Sequence, residues 1–169
     1  VVHETVTCSV ADTLSVLRAR GLSVHLILGP DGVLSQHGDL AADLLWHAGP
    51  VHNGPSIGVE VVNPYYPQYL PPGGDWSEVI EARWAHQGRY VVPTAAQAET
   101  LAQLVGWVTS SPAPGVAIPR QWPGLRDGKM AMGRLPGADR SMPGVLAHMY
   151  YAESRVMRSA FNETRCRWT

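Results

Sequence analysis

His3 closes the apolar run Val1-Val2, and His148 closes another, Val145-Leu146-Ala147. Each stands where a strand would give way to a loop, a usual position for a metal ligand or catalytic group in an α/β sheet. Two imidazoles, a third ligand and a water make the open coordination of a catalytic zinc. Such a water ionises at a pKa of about 7 and supplies hydroxide at neutral pH. Glu60 sits among the β-branched residues Val59, Val61 and Val62, with His47 and His52 upstream. A carboxylate in an apolar strand is costly without a partner or a task. Beside imidazoles on a strand and its loop, it suits the proton acceptor of a hydrolytic site. Spacing alone favours two unrelated strand-end histidines over this metal site. It does not prefer a catalytic Glu60 to one pointing to water from an edge strand.

Positioning these residues takes a sheet. Residues 1–5 read as a short strand carrying His3. Ser9 or Asp12 then caps a helix in which Val10, Leu14 and Leu17 recur at helical spacing, and Gly21 stops it behind Arg18 and Arg20. Residues 22–28 read as a strand, Gly29-Pro30-Asp31-Gly32 as a turn, and residues 33–36 as the antiparallel return. His25, alone in an apolar strand, reads as a hydrogen-bonded core residue. Residues 39–45 suggest one or two helical turns before Trp46-His47, and residues 56–62 a buried strand.

The stretch 63–74 has a different texture: Asn-Pro-Tyr-Tyr-Pro-Gln-Tyr-Leu-Pro-Pro-Gly-Gly. Proline removes donors and fixes φ, so this is no core element. Its three tyrosines imply a packed loop with exposed aromatic faces, suited to a sugar or a peptide or to covering a sheet edge. Residues 75–90 give no clear assignment. Thr94 N-caps the clearest helix, 95–108, with Leu101, Leu104, Val105 and Val108 on one face. Residues 116–118 read as a short buried strand, 120–143 as loop, and 144–148 as the apolar run ending in His148. Residues 150–168 are helical in composition and carry four arginines.

The 169 residues suit a single domain spanning 1–169 with a sizeable core. Charged residues make up only 16% and the net charge is -1, which argues against a nucleic-acid partner. No apolar run approaches the length of a membrane span. With 14 prolines, 17 glycines and six tryptophans against one phenylalanine, the chain reads as a loop-rich α/β domain and not a helical bundle. Cys8 and Cys166 either form one disulfide, as in an exported protein, or remain two thiols. No signal peptide is visible, but the chain opens directly on a strand, so a leader or preceding domain removed from this chain is expected. The oligomeric state is not legible.

Five pieces in order resemble a known family. They are Val1-Val2-His3-Glu4-Thr5; Ser23-Val24-His25-Leu26-Ile27 with Asp31-Gly32; Trp46-His47-Ala48-Gly49; Asn53 with Ser56-Ile57-Gly58-Val59-Glu60; and Pro93-Thr94 with Gln97. The series is similar to the zinc-dependent N-acetylmuramoyl-L-alanine amidases of type 2, which are related to peptidoglycan recognition proteins. The resemblance implies a mixed central β-sheet flanked by helices, with zinc in an open groove. It implies cleavage of the amide between the lactyl group of N-acetylmuramic acid and L-alanine in peptidoglycan or muropeptides. It also implies a secreted, periplasmic or cell-wall-associated setting. By position, His3 and His148 match zinc ligands, Glu60 the general base, and His47 and Asn53 groove residues near substrate. Arg155 matches the basic residue that stabilises the oxyanion. The third ligand departs from the pattern, because Met157 stands where the family has Asp or Cys, and a neutral thioether is a poor zinc ligand. Glu153 is the expected substitute, with Cys166 or Cys8 as further alternatives. If none serves, the domain is a muropeptide-binding module that has lost its metal. A zinc hydrolase acting on another amide is the third reading.

Overall fold

The computed structural model describes residues 1–71, 78–85, 87–110, 117–138, 140 and 142–151. Its centre is a four-stranded mixed sheet in the order β1 (Val2–Glu4), β4 (Val59–Val61), β2 (Leu26–Leu28), β3 (Leu34–Gln36). β1, β4 and β2 run parallel, and β3 returns antiparallel to β2. The turn between β2 and β3 is closed by Gly29 N–H to Val33 O at 2.9 Å, with Gly32 at φ 81°. The register sets His3 opposite Glu60 and Glu60 opposite Ile27. Side chains alternate along each strand, so these three share one face.

α1 (Val10–Ala19) covers that face. Ser9 caps it by accepting from Asp12 N–H at 3.0 Å, and Gly21, at φ 64°, ends it. Leu17 packs with Val24, Ile27 and Val62, flanked by Val10, Leu14 and Leu22. α2 (Ala95–Val108) covers the other face, where Leu101 and Leu104 meet Leu26, Ile57 and Val59. A capping box starts α2: Thr94 Oγ1 accepts from Gln97 N–H at 3.1 Å, and Gln97 Oε1 accepts from Thr94 N–H at 2.9 Å. Gln97 Nε2 also donates to Val62 O at 2.8 Å, which ties α2 to the end of β4.

Several segments differ from the sequence reading. Only the last three of residues 22–28 are strand; before them, Ser23 N–H donates to Trp46 O at 3.1 Å and pulls the chain toward the His47 loop. Residues 39–45 form turns, because Asp39 Oδ1 captures the N–H groups of Ala41 and Ala42 at 2.8 and 2.9 Å. Residues 79–91 hold a hairpin, β5 (Val79–Glu81) with β6 (Arg89–Val91). Residues 117–118 are not a buried strand: Ala117 is exposed, and Pro119 follows without an N–H to give a ladder. The 120–143 loop contains a small hairpin, β7 (Leu125–Arg126) with β8 (Lys129–Met130), turned at Asp127-Gly128 with φ 49° and 73°. At the outer edge of β1, Val2 forms a parallel bridge with Ala147 and its N–H reaches Leu146 O at 2.8 Å. The tail expected to be helical falls from residue 152 onward outside the described residues. Cys8 is disulfide-bonded, and Cys166 lies outside the described residues.

Thr94→Ala removes both the cap to Gln97 and a hydrogen bond from Thr94 Oγ1 to Pro30 O at 2.7 Å. It should lower unfolding stability by about 1–2 kcal/mol. Urea unfolding followed by circular dichroism checks this, and an unchanged midpoint contradicts it.

Candidate active site

The Val2–Ala147 bridge sets the residues that follow, His3 on β1 and His148 at the start of a 3-10 turn (His148–Tyr150), side by side. Their Nδ1 atoms are 2.9 Å apart, with ring centroids at 4.4 Å. His3 Nε2 faces His47 Nδ1 at 3.1 Å, and His47 Nε2 lies 3.4 Å from Ser56 O. The Ser56 carbonyl can only accept, so His47 donates there and keeps a bare Nδ1. That nitrogen accepts from His3 Nε2–H, leaving His3 Nδ1 bare and facing His148. Two ligand nitrogens on a tetrahedral zinc, at bond lengths near 2.0–2.1 Å, are about 3.3 Å apart. The His3–His148 pair therefore fits two positions of such a site, with His47 fixing the tautomer of His3 from behind. Among the described residues no group of three His, Cys, Asp or Glu side chains is arranged to hold a metal. Glu153, Arg155 and Met157 lie outside the described residues.

Burial keeps these imidazoles neutral. His47 is pushed down to about 3 and His148 to about 4, both chiefly by desolvation, and His3 is lowered by burial and then by its histidine neighbours. Neutral imidazole is the form that binds metal. Glu60 stands beside His3 in register and is buried; desolvation raises its carboxyl to about 7, against the lowering pull of Arg20. A cavity of about 60 Å³ joins Glu60, His3, His47 and His148 to Arg20, which caps the C-terminal end of α1. It exceeds the roughly 10–15 Å³ that a water needs. A larger groove of about 720 Å³ runs from His3 and His148 to the tyrosines of the 63–71 loop.

The structure brings His3, His148, Glu60 and His47 together. His47 is buried, with its ring packed on Gly58, where a Cβ would fall 2.5 Å from His47 Cγ. Asn53 is buried too: its Oδ1 accepts from His47 N–H at 3.0 Å and Ala48 N–H at 2.7 Å. His47 thus lies against His3 and lines the cavity with it, and Asn53 holds the His47 backbone. His25 is a core residue, accepting at Nδ1 from Gly58 N–H at 3.1 Å. Sequence reasoning missed Arg20, whose position beside Glu60 depends on how α1 lies on the sheet. It also missed Tyr151, whose ring packs on His52 and His148 at centroid distances of 4.0 and 5.0 Å.

A family model for N-acetylmuramoyl-L-alanine amidase matches residues 1–121. The chain belongs to the N-acetylmuramoyl-L-alanine amidase family. A search of curated proteins finds no match to it. The amidase match includes His3, His47, Asn53 and Glu60 and stops short of His148, which joins the site through its pairing beside β1.

Gly58→Ala tests the support that His47 gives. The added methyl collides with the His47 ring, which must shift from its contact with His3. Denaturant unfolding should show a loss of about 1–3 kcal/mol. Wild-type stability would mean the ring is not held by this packing.

Proposed function

We propose that this protein hydrolyses the amide between the lactyl carboxyl of N-acetylmuramic acid and L-alanine in peptidoglycan, with zinc as cofactor. The carrying observation is the pair of Nδ1 atoms of His3 and His148, 2.9 Å apart, beside Glu60 on the adjoining strand. Membership of the amidase family supports the substrate class. His3 and His148 would hold the metal, with Glu153 proposed as the third, anionic ligand. When bound, zinc supplies Lewis acidity toward water and the substrate carbonyl oxygen.

The chain's own residues do the rest. Glu60 takes a proton from the attacking water as its oxygen bonds to the lactyl carbonyl carbon. Glu60 then returns a proton to the alanine nitrogen as the carbon–nitrogen bond breaks. The products are a muramoyl lactyl carboxylate and a peptide with a free L-alanine amine. Arg155 is proposed to stabilise the oxyanion formed between these steps. The burial that raises Glu60 suits a group that must both accept and give a proton near neutral pH. His47 and Asn53 keep His3 in one tautomer and one orientation. Action at the cell wall, outside the cytoplasm, is proposed from the substrate; the bonded state of Cys8 agrees with an oxidising compartment.

Two variants test the reading on a purified muropeptide. Glu60→Gln keeps the shape of the side chain but cannot take a proton, so turnover should fall about 10²–10⁴-fold with zinc retained. His148→Ala should lose zinc and turnover together. Wild-type turnover in Glu60→Gln would move the base elsewhere, and full zinc occupancy in His148→Ala would remove the metal assignment. A wild-type protein that binds muropeptide but neither holds zinc nor cleaves it would be a binding module.

A further inference from the structure

The Tyr/Pro loop is more than a cover for the sheet. Tyr65 holds φ 65°, a left-handed conformation that is unfavourable for a bulky residue and persists only where the surroundings impose it. Here they do. Val91 N–H donates to Tyr65 O at 3.0 Å, and the Tyr65 ring meets the Tyr90 ring edge-on at 5.2 Å. Tyr90 is fixed in turn, because its hydroxyl donates to Glu4 Oε1, the same oxygen that accepts from Asn63 Nδ2 at 2.7 Å. Glu4 is thereby occupied as a structural acceptor. Beyond this brace, Tyr66 packs on Tyr65 at 4.7 Å and on Tyr69 at 5.9 Å, and a one-turn helix, Pro67–Tyr69, sets their spacing. All three tyrosines are half-buried and line the groove that begins at His3 and His148.

The charge of the described lining at the tyrosine end favours one kind of occupant. Among the described residues lining the groove, Glu4 is the one carboxylate and there is no lysine or arginine. A stem peptide carries several carboxylates and would need cations to replace their hydration. A neutral sugar chain needs none. Each pyranose offers an apolar C–H face to the electron-rich face of an aromatic ring, and hydroxyls to nearby polar groups such as Gln87.

We propose that Tyr66 and Tyr69, braced by Tyr65, form a saccharide subsite that holds the glycan on the muramoyl side of the bond to be cut. The inference rests on the amidase reading for the direction in which substrate lies. With the sugar at the tyrosine end, the lactyl carbonyl comes to the His3–His148 end, and the charged stem peptide leaves the groove on the other side. The loop then favours the glycan-bearing substrate over the free stem peptide that the reaction releases.

The test measures binding of two probes to the full chain: a neutral N-acetylglucosamine oligomer, and a stem tripeptide without sugar. Loss of an aromatic anchor at a recognition surface typically exceeds 1 kcal/mol, so Tyr66→Ala and Tyr69→Ala should each weaken the oligomer about tenfold. Tyr66→Phe, which keeps the ring, should stay near wild type, and tripeptide affinity should not move. Should an alanine variant fail to fold, Tyr66→Leu fills the space without an aromatic face and carries the same test. Unchanged oligomer affinity in the alanine variants, absence of oligomer binding by wild type, or loss of tripeptide binding instead would each overturn the subsite. Muropeptide hydrolysis by the same samples reports separately on the amidase reading. Oligomer binding that depends on Tyr66 in a protein that cleaves nothing keeps the subsite and removes the enzyme. Cleavage with tyrosine-independent oligomer binding does the reverse.

Discussion

Parallel pairing on both sides of β1 is the constraint on which the site depends. On one side β4 sets Glu60 opposite His3; on the other, the Val2–Ala147 bridge brings in His148 from 145 residues away in the chain. Neither contact is local, and neither tolerates a slip. Strand side chains alternate, so a shift of one residue would turn His3 or Glu60 to the face covered by α2. The hydrophobic contacts of α1 with Ile27 and Val62 on one face, and of α2 with Leu26 and Val59 on the other, hold the register. The placement of His3, Glu60 and His148 is therefore a consequence of strand pairing and core packing.

The same packing makes the site electrostatically unusual. His3, His47 and Glu60 are nearly removed from water, and desolvation pushes the imidazoles toward neutrality and the carboxylate toward its protonated form. Burying such groups without partners is costly. The cost is offset by a chain of contacts from Ser56 through His47 to His3, and by the nearby charge of Arg20. That chain leaves one nitrogen of His3 facing one nitrogen of His148. A fold that needed only stability would fill this space with apolar side chains, as it does at Ile27 in the same row.

Much of this was legible in the sequence where the signal is local. Thr94 and Gln97 announce α2 to the residue, Ser9 and Gly21 bracket α1, and Gly29 to Gly32 mark the β2–β3 turn. The ordered motifs around His3, His47 and Glu60 carried the family. What failed to show depended on long-range or side-chain competition. Asp39 diverts the backbone of a segment with helical composition. Asp127-Gly128 is a hairpin signal that lay unread within a presumed loop. The contacts of His47 with His3 and of Asn53 with the His47 backbone were hidden as well, because a motif gives the residue but not its neighbours. The contact of His47 Nδ1 with His3 Nε2, and the packing of the His47 ring on Gly58, show that this histidine braces another. The brace of Tyr65 by Tyr90 and Glu4 is hidden for the same reason: the partners lie on β6, β1 and the loop between β4 and β5.

The most direct test of the account is product analysis after incubating the purified protein, with zinc, on intact peptidoglycan. Mass spectrometry should find stem peptides with a free L-alanine amine, together with glycan strands whose muramic acid bears an unsubstituted lactyl carboxylate. Intact peptidoglycan, or cleavage at a different amide or at a glycosidic bond, would contradict it.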